Sequence, residues 1–165
     1  MIRCAFIIQL PYVLNPVINV RYNFIGSTVN YIDSIKKYIF ENHQGSEFSP
    51  VPESWIKDIE KKYPNMPKDL KEIYAKIGYG SIGDSLYMIH ALLEPSEIYD
   101  EETASDLDGV VIVGDDFSGN CSAYDAKNGW VFGCIECGGE FESFGKEIQS
   151  FSKYLEYFYC NPDLA

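Results

Sequence analysis

Residues 110–135 read VVIVGDDFSGNCSAYDAKNGWVFGCI, and this stretch decides the fold. Val110 to Val113 is an unbroken β-branched run between Gly109 and Gly114, which suits a strand buried on both faces. Two further short runs, 121–125 and 130–135, flank Ala126-Lys127-Asn128-Gly129, and Asn-Gly is a strong hairpin-turn signal. Three short strands joined by tight turns form an antiparallel meander. Upstream, Ser85 to His90 reads as another strand, and Pro95 to Glu102 as a short helical turn or loop.

Helices bracket this meander. Tyr31, Ile32, Ile35, Tyr38 and Ile39 fall at helical spacing and predict a helix over 30–42, followed by a polar loop from His43 to Pro50. A second helix opens at Glu53 or Ser54 and runs to Lys62, with Trp55, Ile56 and Ile59 on one face. Pro67 sits in the first turn of a third, where its missing N–H is harmless. Leu70, Ile73, Tyr74 and Ile77 give that helix a buried face, and Gly78 and Gly80 end it. A closing helix is expected over 146–160 from Ile148, Phe151, Tyr154, Leu155 and Phe158. Helices, then a meander, then a closing helix is an α+β pattern, an antiparallel sheet with flanking helices. Trp55, Phe151 and Phe158 are expected in the core, and one or two of Tyr79, Tyr87, Tyr99 and Trp130 at the surface.

The chain has 165 residues, enough for one ordinary domain, and its 46% hydrophobic fraction supports a real core. Net charge is −12, which excludes a chain-wide basic surface for nucleic acid. That charge is unevenly spread: residues 1–76 sum to +2, whereas residues 77–165 hold only Lys127, Lys146 and Lys153 against seventeen acids. An acidic half so poor in counter-charge stores self-repulsion. Five cysteines, an odd number, fit reduced thiols better than a disulfide scaffold. The first 29 residues contain no acid, and Pro11 and Pro16 interrupt their apolar runs, so they suit neither a membrane span nor a signal peptide. Residues 1–28 are read as an atypical extension lying upstream of a native start near Val29, and 29–165 as a single domain.

No motif reads as an active site. Cys134-x-x-Cys137 lacks the second ligand pair that structural zinc requires, and Gly138-Gly139 follows where a redox pair would open a helix. Asp116, Ser118 and Asn120 match three positions of a calcium loop, but Cys121 and Lys127 stand where its Gly and Glu belong. Gly78 to Gly83 lacks the Lys-Ser/Thr ending of a phosphate loop. His43 and His90 give no cue to a triad, and no metal or cofactor is expected.

Three stretches in order carry a family resemblance: Trp55-Ile-Lys-Asp-Ile-Glu60; Met66-Pro67 through Gly78-Tyr-Gly80; and Val113-Gly114-Asp115-Asp116-Phe-Ser-Gly119-Asn120 with Tyr124-Asp125 and Gly129-Trp-Val131. Over residues 30–160 the chain resembles the SUKH superfamily, in its bacterial branch similar to the Smi/Knr cell-wall regulators. The resemblance implies an α+β fold and a cytoplasmic immunity protein that neutralises a cognate polymorphic toxin, often a nuclease, by occlusion without catalysis. It also implies structural roles: Trp55, Glu60 and Pro67 around the helices, Gly78 and Gly80 in a turn, and Gly114, Asp115 and Gly119 at a strand end. The acidic bias suggests a binding face for a basic partner, formed by Glu94, Glu97, Asp100, Glu101, Glu102, Asp106 and Asp108. Asp84, Asp115 and Asp116 would adjoin it, with Tyr99 as anchor. A regulatory scaffold of the Smi/Knr type and a hydrolase using two carboxylates are the competing readings.

Overall fold

The computed structural model describes residues 31–161, so the reading of residues 1–28 lies outside the described residues. Among the described residues, five α-helices and seven strands follow in the order α1 (Tyr31–Asn42), β1 (Glu47–Ser49), α2 (Glu53–Lys62), α3 (Lys68–Lys76), β2 (Tyr79–Ile82), β3 (Tyr87–Leu93), α4 (Glu101–Asp106), β4 (Val110–Asp115), β5 (Cys121–Asp125), β6 (Val131–Ile135), β7 (Phe141–Ser143) and α5 (Phe151–Tyr159). The strands form one antiparallel sheet in sequence order, each pairing with the next. This is the α+β architecture expected.

One sheet face packs against α1, α3 and α5. Ile32, Ile35 and Ile39 of α1, Leu70, Ile73 and Tyr74 of α3, and Phe151 and Leu155 of α5 meet Tyr87, Ile89, Val111, Val113, Tyr124 and Phe132 from the strands. The other face holds a smaller core of Leu107, Val110, Ile112, Cys121, Ala123 and Ile135. The Val110–Val113 run is thus apolar throughout because both faces of β4 are covered. Ile112 pairs with Ala123 and Gly114 with Ser122, leaving Val113 as the extra residue of a β-bulge. The bulge brings Gly114 beneath Tyr87, whose hydroxyl a side chain there would strike.

Several boundaries differ from the sequence expectation. The strand expected at 85–90 spans 87–93 instead, because Ser85 takes a left-handed turn conformation (φ 65°). β1, β2 and β7 have three, four and three residues, too short to show periodicity, and β1 lies inside the stretch read as polar loop. Trp130 (φ 61°) completes the Asn128-Gly129 turn, so β6 starts one residue later. Pro67 precedes α3 as its flanking residue, outside the helix. α5 is shorter than the expected 146–160: the Ser150 hydroxyl accepts the Lys153 N–H at 3.3 Å, and the Phe151 N–H donates to the Tyr124 hydroxyl at 2.7 Å.

The aromatic expectations are partly overturned. Phe151 is buried, but Phe158 is 44% exposed on the outer side of α5. Trp55 is 47% exposed and faces Tyr79 across 6.2 Å, because α2 buries no residue fully and only leans Ile56 and Ile59 on the core. None of Tyr79, Tyr87, Tyr99 and Trp130 is fully exposed; Tyr87 and Trp130 are buried, and the Trp130 indole N–H donates to the Pro64 carbonyl at 2.9 Å. Glu60 pairs with Lys71, tying α2 to α3.

Gly80 lies against the edge strand at φ 146°, where a Cβ would collide with the Glu47 carbonyl. Gly129 shares a positive φ but opens onto solvent. Gly80→Ala is therefore expected to lose about 2–4 kcal/mol in urea unfolding, from strain plus lost β1 pairing, and Gly129→Ala only about 1 kcal/mol. Equal losses would contradict this placement of β1.

Candidate functional site

The connection from β3 to β4 crosses the second sheet face, and its sequence dictates how it lies. Pro95 and Leu107 are buried, and Leu107 joins the smaller core, with Tyr99 packed against it. Glu94 and Glu97 cap a single 3-10 turn over Pro95–Glu97 reciprocally, the Glu94 N–H donating to Glu97 Oε2 at 2.7 Å. Asp100 caps α4 by accepting the Thr103 N–H at 3.0 Å, a bond that holds its carboxyl below the ordinary value. With the apolar residues turned inward, Glu97, Asp100, Glu101, Glu102, Asp106 and Asp108 all stand exposed. Two cations answer them: Lys62 pairs with Glu94 and Lys127 with Asp108. Such exposed pairs stabilise by roughly 1 kcal/mol or less.

A shallow hollow beside α4 gathers acids from three parts of the chain. Glu102, Asp106 and Asp108 line it with Asp125 from the end of β5 and Glu140 from the β6–β7 turn, and Lys127 is the basic residue among them. Gly139 lets that turn approach closely, since a Cβ there would strike the Thr103 methyl. Nothing local in the sequence marks Asp125 and Glu140, because only the folded sheet brings them beside residues 102–108.

The other expected site residues are placed differently. The Tyr99 hydroxyl turns inward to the Cys121 sulfur at 3.4 Å, and burial followed by that bond raises its pKa. The exposed apolar side chain on this segment is Ile98, so Tyr99 is not an outward anchor. Asp84 lies in the β2–β3 turn against the Gly45 backbone, and no bond joins it to the crossover. Asp115 is the last residue of β4, and Asp116 opens the β4–β5 turn. Asp115 Oδ2 meets His90 Nε2 at 2.5 Å and its Oδ1 accepts the Phe117 N–H at 2.8 Å. Asp116 accepts the N–H groups of Ser118 (2.9 Å) and Asn120 (3.1 Å) and the Asn120 side-chain amide (2.7 Å). This carboxylate is thereby engaged within its own turn. Gly119, in the same turn, packs against the Cys137 sulfur.

Among the described residues no group of three or more His, Cys, Asp or Glu is arranged to hold a metal ion. Cys134 is half-buried, Cys137 is exposed, and both are free thiols. Burial raises the thiols of Cys121, Cys134 and Cys160, the last to about 12, which leaves them protonated and unreactive near neutrality. Beside the His90–Asp115 pair, Cys121 has Asp115 as its cross-strand partner, so the carboxylate and not the imidazole is set opposite the thiol. That order does not fit a nucleophile–base relay. The carboxyls of Asp100 and Asp116 are shifted downward, opposite to what a general acid at neutral pH needs. No helix among the described residues is long and apolar enough to cross a membrane.

No protein-family model matches this chain, and neither a curated protein nor a solved structure does.

Partial burial pushes the Asp116 carboxyl upward, but hydrogen bonds from Asn120 and Ser118 together outweigh it and the net shift is downward. Ionised Asp116 therefore favours the folded state above the ordinary Asp value of 3.8, and this contribution is lost as pH falls through its lower folded value. Asp116→Asn is expected to flatten the acid limb of stability against pH below about 4 in urea titrations. An unchanged acid limb would show that the carboxylate carries no such linkage.

Proposed function

We propose that this chain is a protein-binding module of the SUKH immunity type, which neutralises a toxin by occupying a basic surface on it and performs no chemistry of its own. The observation that carries this reading is the crossover between β3 and β4. Seven acids lie within residues 94–108 with no Lys or Arg among them, and the apolar side chains beneath hold the segment against the sheet. Asp125 and Glu140 extend the negative surface across the neighbouring hollow. A nuclease holds phosphates with cationic side chains, so a fixed carboxylate surface suits its cleft as an electrostatic substitute for nucleic acid. Complementary charge of this kind raises association rate and selects the partner. The order of sequence stretches that resembles the family supports the narrower reading, an immunity protein acting in the cytoplasm on a cognate toxin.

Co-expression with the product of the adjacent large open reading frame, scored for rescue of growth and co-purification, tests the partnership. Within the complex, Glu101→Lys with Glu102→Lys and Asp106→Lys is expected to slow association about tenfold or more at low salt and to flatten its salt dependence. An association rate equal to the unaltered protein's would remove the crossover from the binding face.

A further inference from the structure

The antiparallel order places the β2–β3, β4–β5 and β6–β7 turns at one end of the sheet. Two large apolar side chains stand exposed there, Leu86 at 51% and Phe117 at 49%. Ile89 pairs with Gly114 and Met88 with Asp115. Leu86 precedes β3 and Phe117 follows β4, so the two stand on neighbouring turns. The three turns, residues 83–86, 116–120 and 136–140, contain Asp84, Asp116, Glu136 and Glu140 and no Lys or Arg. Asp84, Glu136 and Glu140 are exposed. Exposed apolar side chains on turns whose charges are all of one sign suit a protein contact in which an apolar anchor enters a recess and the charges around it select the partner.

The backbone at Phe117 is also held in place. Its backbone sits at φ 57°, unfavourable for a bulky residue. The Asp115 carboxylate binds its N–H, His90 clamps that carboxylate from β3, and the three Asp116 bonds close the turn beyond it. A backbone already fixed at an exposed position loses little further freedom on binding, so burial of the side chain it carries is converted more fully into affinity. The turn end is continuous with the acidic crossover through Gly139 and Thr103, which lie in close approach.

We infer that Leu86 and Phe117 form the apolar anchor with which this chain enters a recess on its protein partner, a recess walled by apolar side chains and ringed by Lys and Arg. The inference rests on the protein-binding reading above and assigns it an anchor. It is tested with a phage-displayed library of random peptides panned against the intact protein, followed by affinity measurement of the enriched peptides on three proteins. These are the unaltered chain, the anchor variant Leu86→Ser with Phe117→Ser, and the crossover variant with Lys at 101, 102 and 106. Enriched peptides are expected to place an aromatic or aliphatic residue between Lys or Arg and to lose at least about tenfold in affinity for the anchor variant. Amide shifts of Leu86 and Phe117 on peptide addition would locate the contact in the unaltered protein, even if the variant were destabilised. Basic peptides without an apolar residue, weakened only on the crossover variant, would overturn the anchor and leave the acidic-surface reading standing. Failure to enrich peptides, or equal binding to all three proteins, would overturn both.

Discussion

The smaller core is the constraint on which the acidic surface depends. Leu107, packed with Val110, Ile112, Cys121, Ala123 and Ile135, fastens the far end of the crossover to a sheet face that the long helices leave free. Tyr99 fixes its middle by reaching Cys121, and Glu94 and Glu97 fix its start. Without those attachments, a segment with seven like charges and a helix of only six residues would have little reason to stay ordered. Burying a leucine of this kind stabilises by roughly 2 kcal/mol, more than the roughly 1 kcal/mol repulsion of a single pair of exposed carboxylates about 4 Å apart in water. The acidic surface is therefore presented by apolar packing beneath it.

Charge is divided between the two sides of the molecule. Most of the lysines sit on α1, α2 and α3, where Lys37, Lys57, Lys68, Lys71 and Lys76 are paired with acids of the same layer. The crossover and the turns at the sheet end share almost none of that counter-charge. Lys62 and Lys127 are the cations that reach across to Glu94 and Asp108. Segregation of this kind creates a directional field, which acts on the approach of a partner more than on the fold itself.

How much of this was legible in the sequence depended on distance along the chain. The Val110–Val113 run and the Asn128-Gly129 turn revealed the central meander because strand and turn signals are local. The bulge at Val113 was not legible, since a run of four β-branched residues reads alike whether pairing is regular or interrupted. β1 and β2 depend on Gly78 and Gly80 lying flush against Ser49 and Glu47; the same glycines read as a helix stop from sequence alone. Trp55 failed as a core residue because helical spacing identifies an apolar face, whereas the extent of its burial depends on how closely α2 approaches the sheet. The acids of the crossover were visible as a contiguous run. Asp125 and Glu140 join them only through sheet pairing, and the inward turn of Tyr99 depends on Cys121, two strands away.

If the carboxylates around α4 serve the binding proposed above, they should cost the fold stability. Urea unfolding of the unaltered chain and of Glu102→Gln with Asp106→Asn and Glu140→Gln, at low and high salt, tests it most directly. The neutralised protein is expected to be at least as stable at low salt, with the difference closing as salt screens the unaltered chain. A loss of more than about 1 kcal/mol on neutralisation at both salt concentrations would mean that these acids hold the structure together, and would contradict the account.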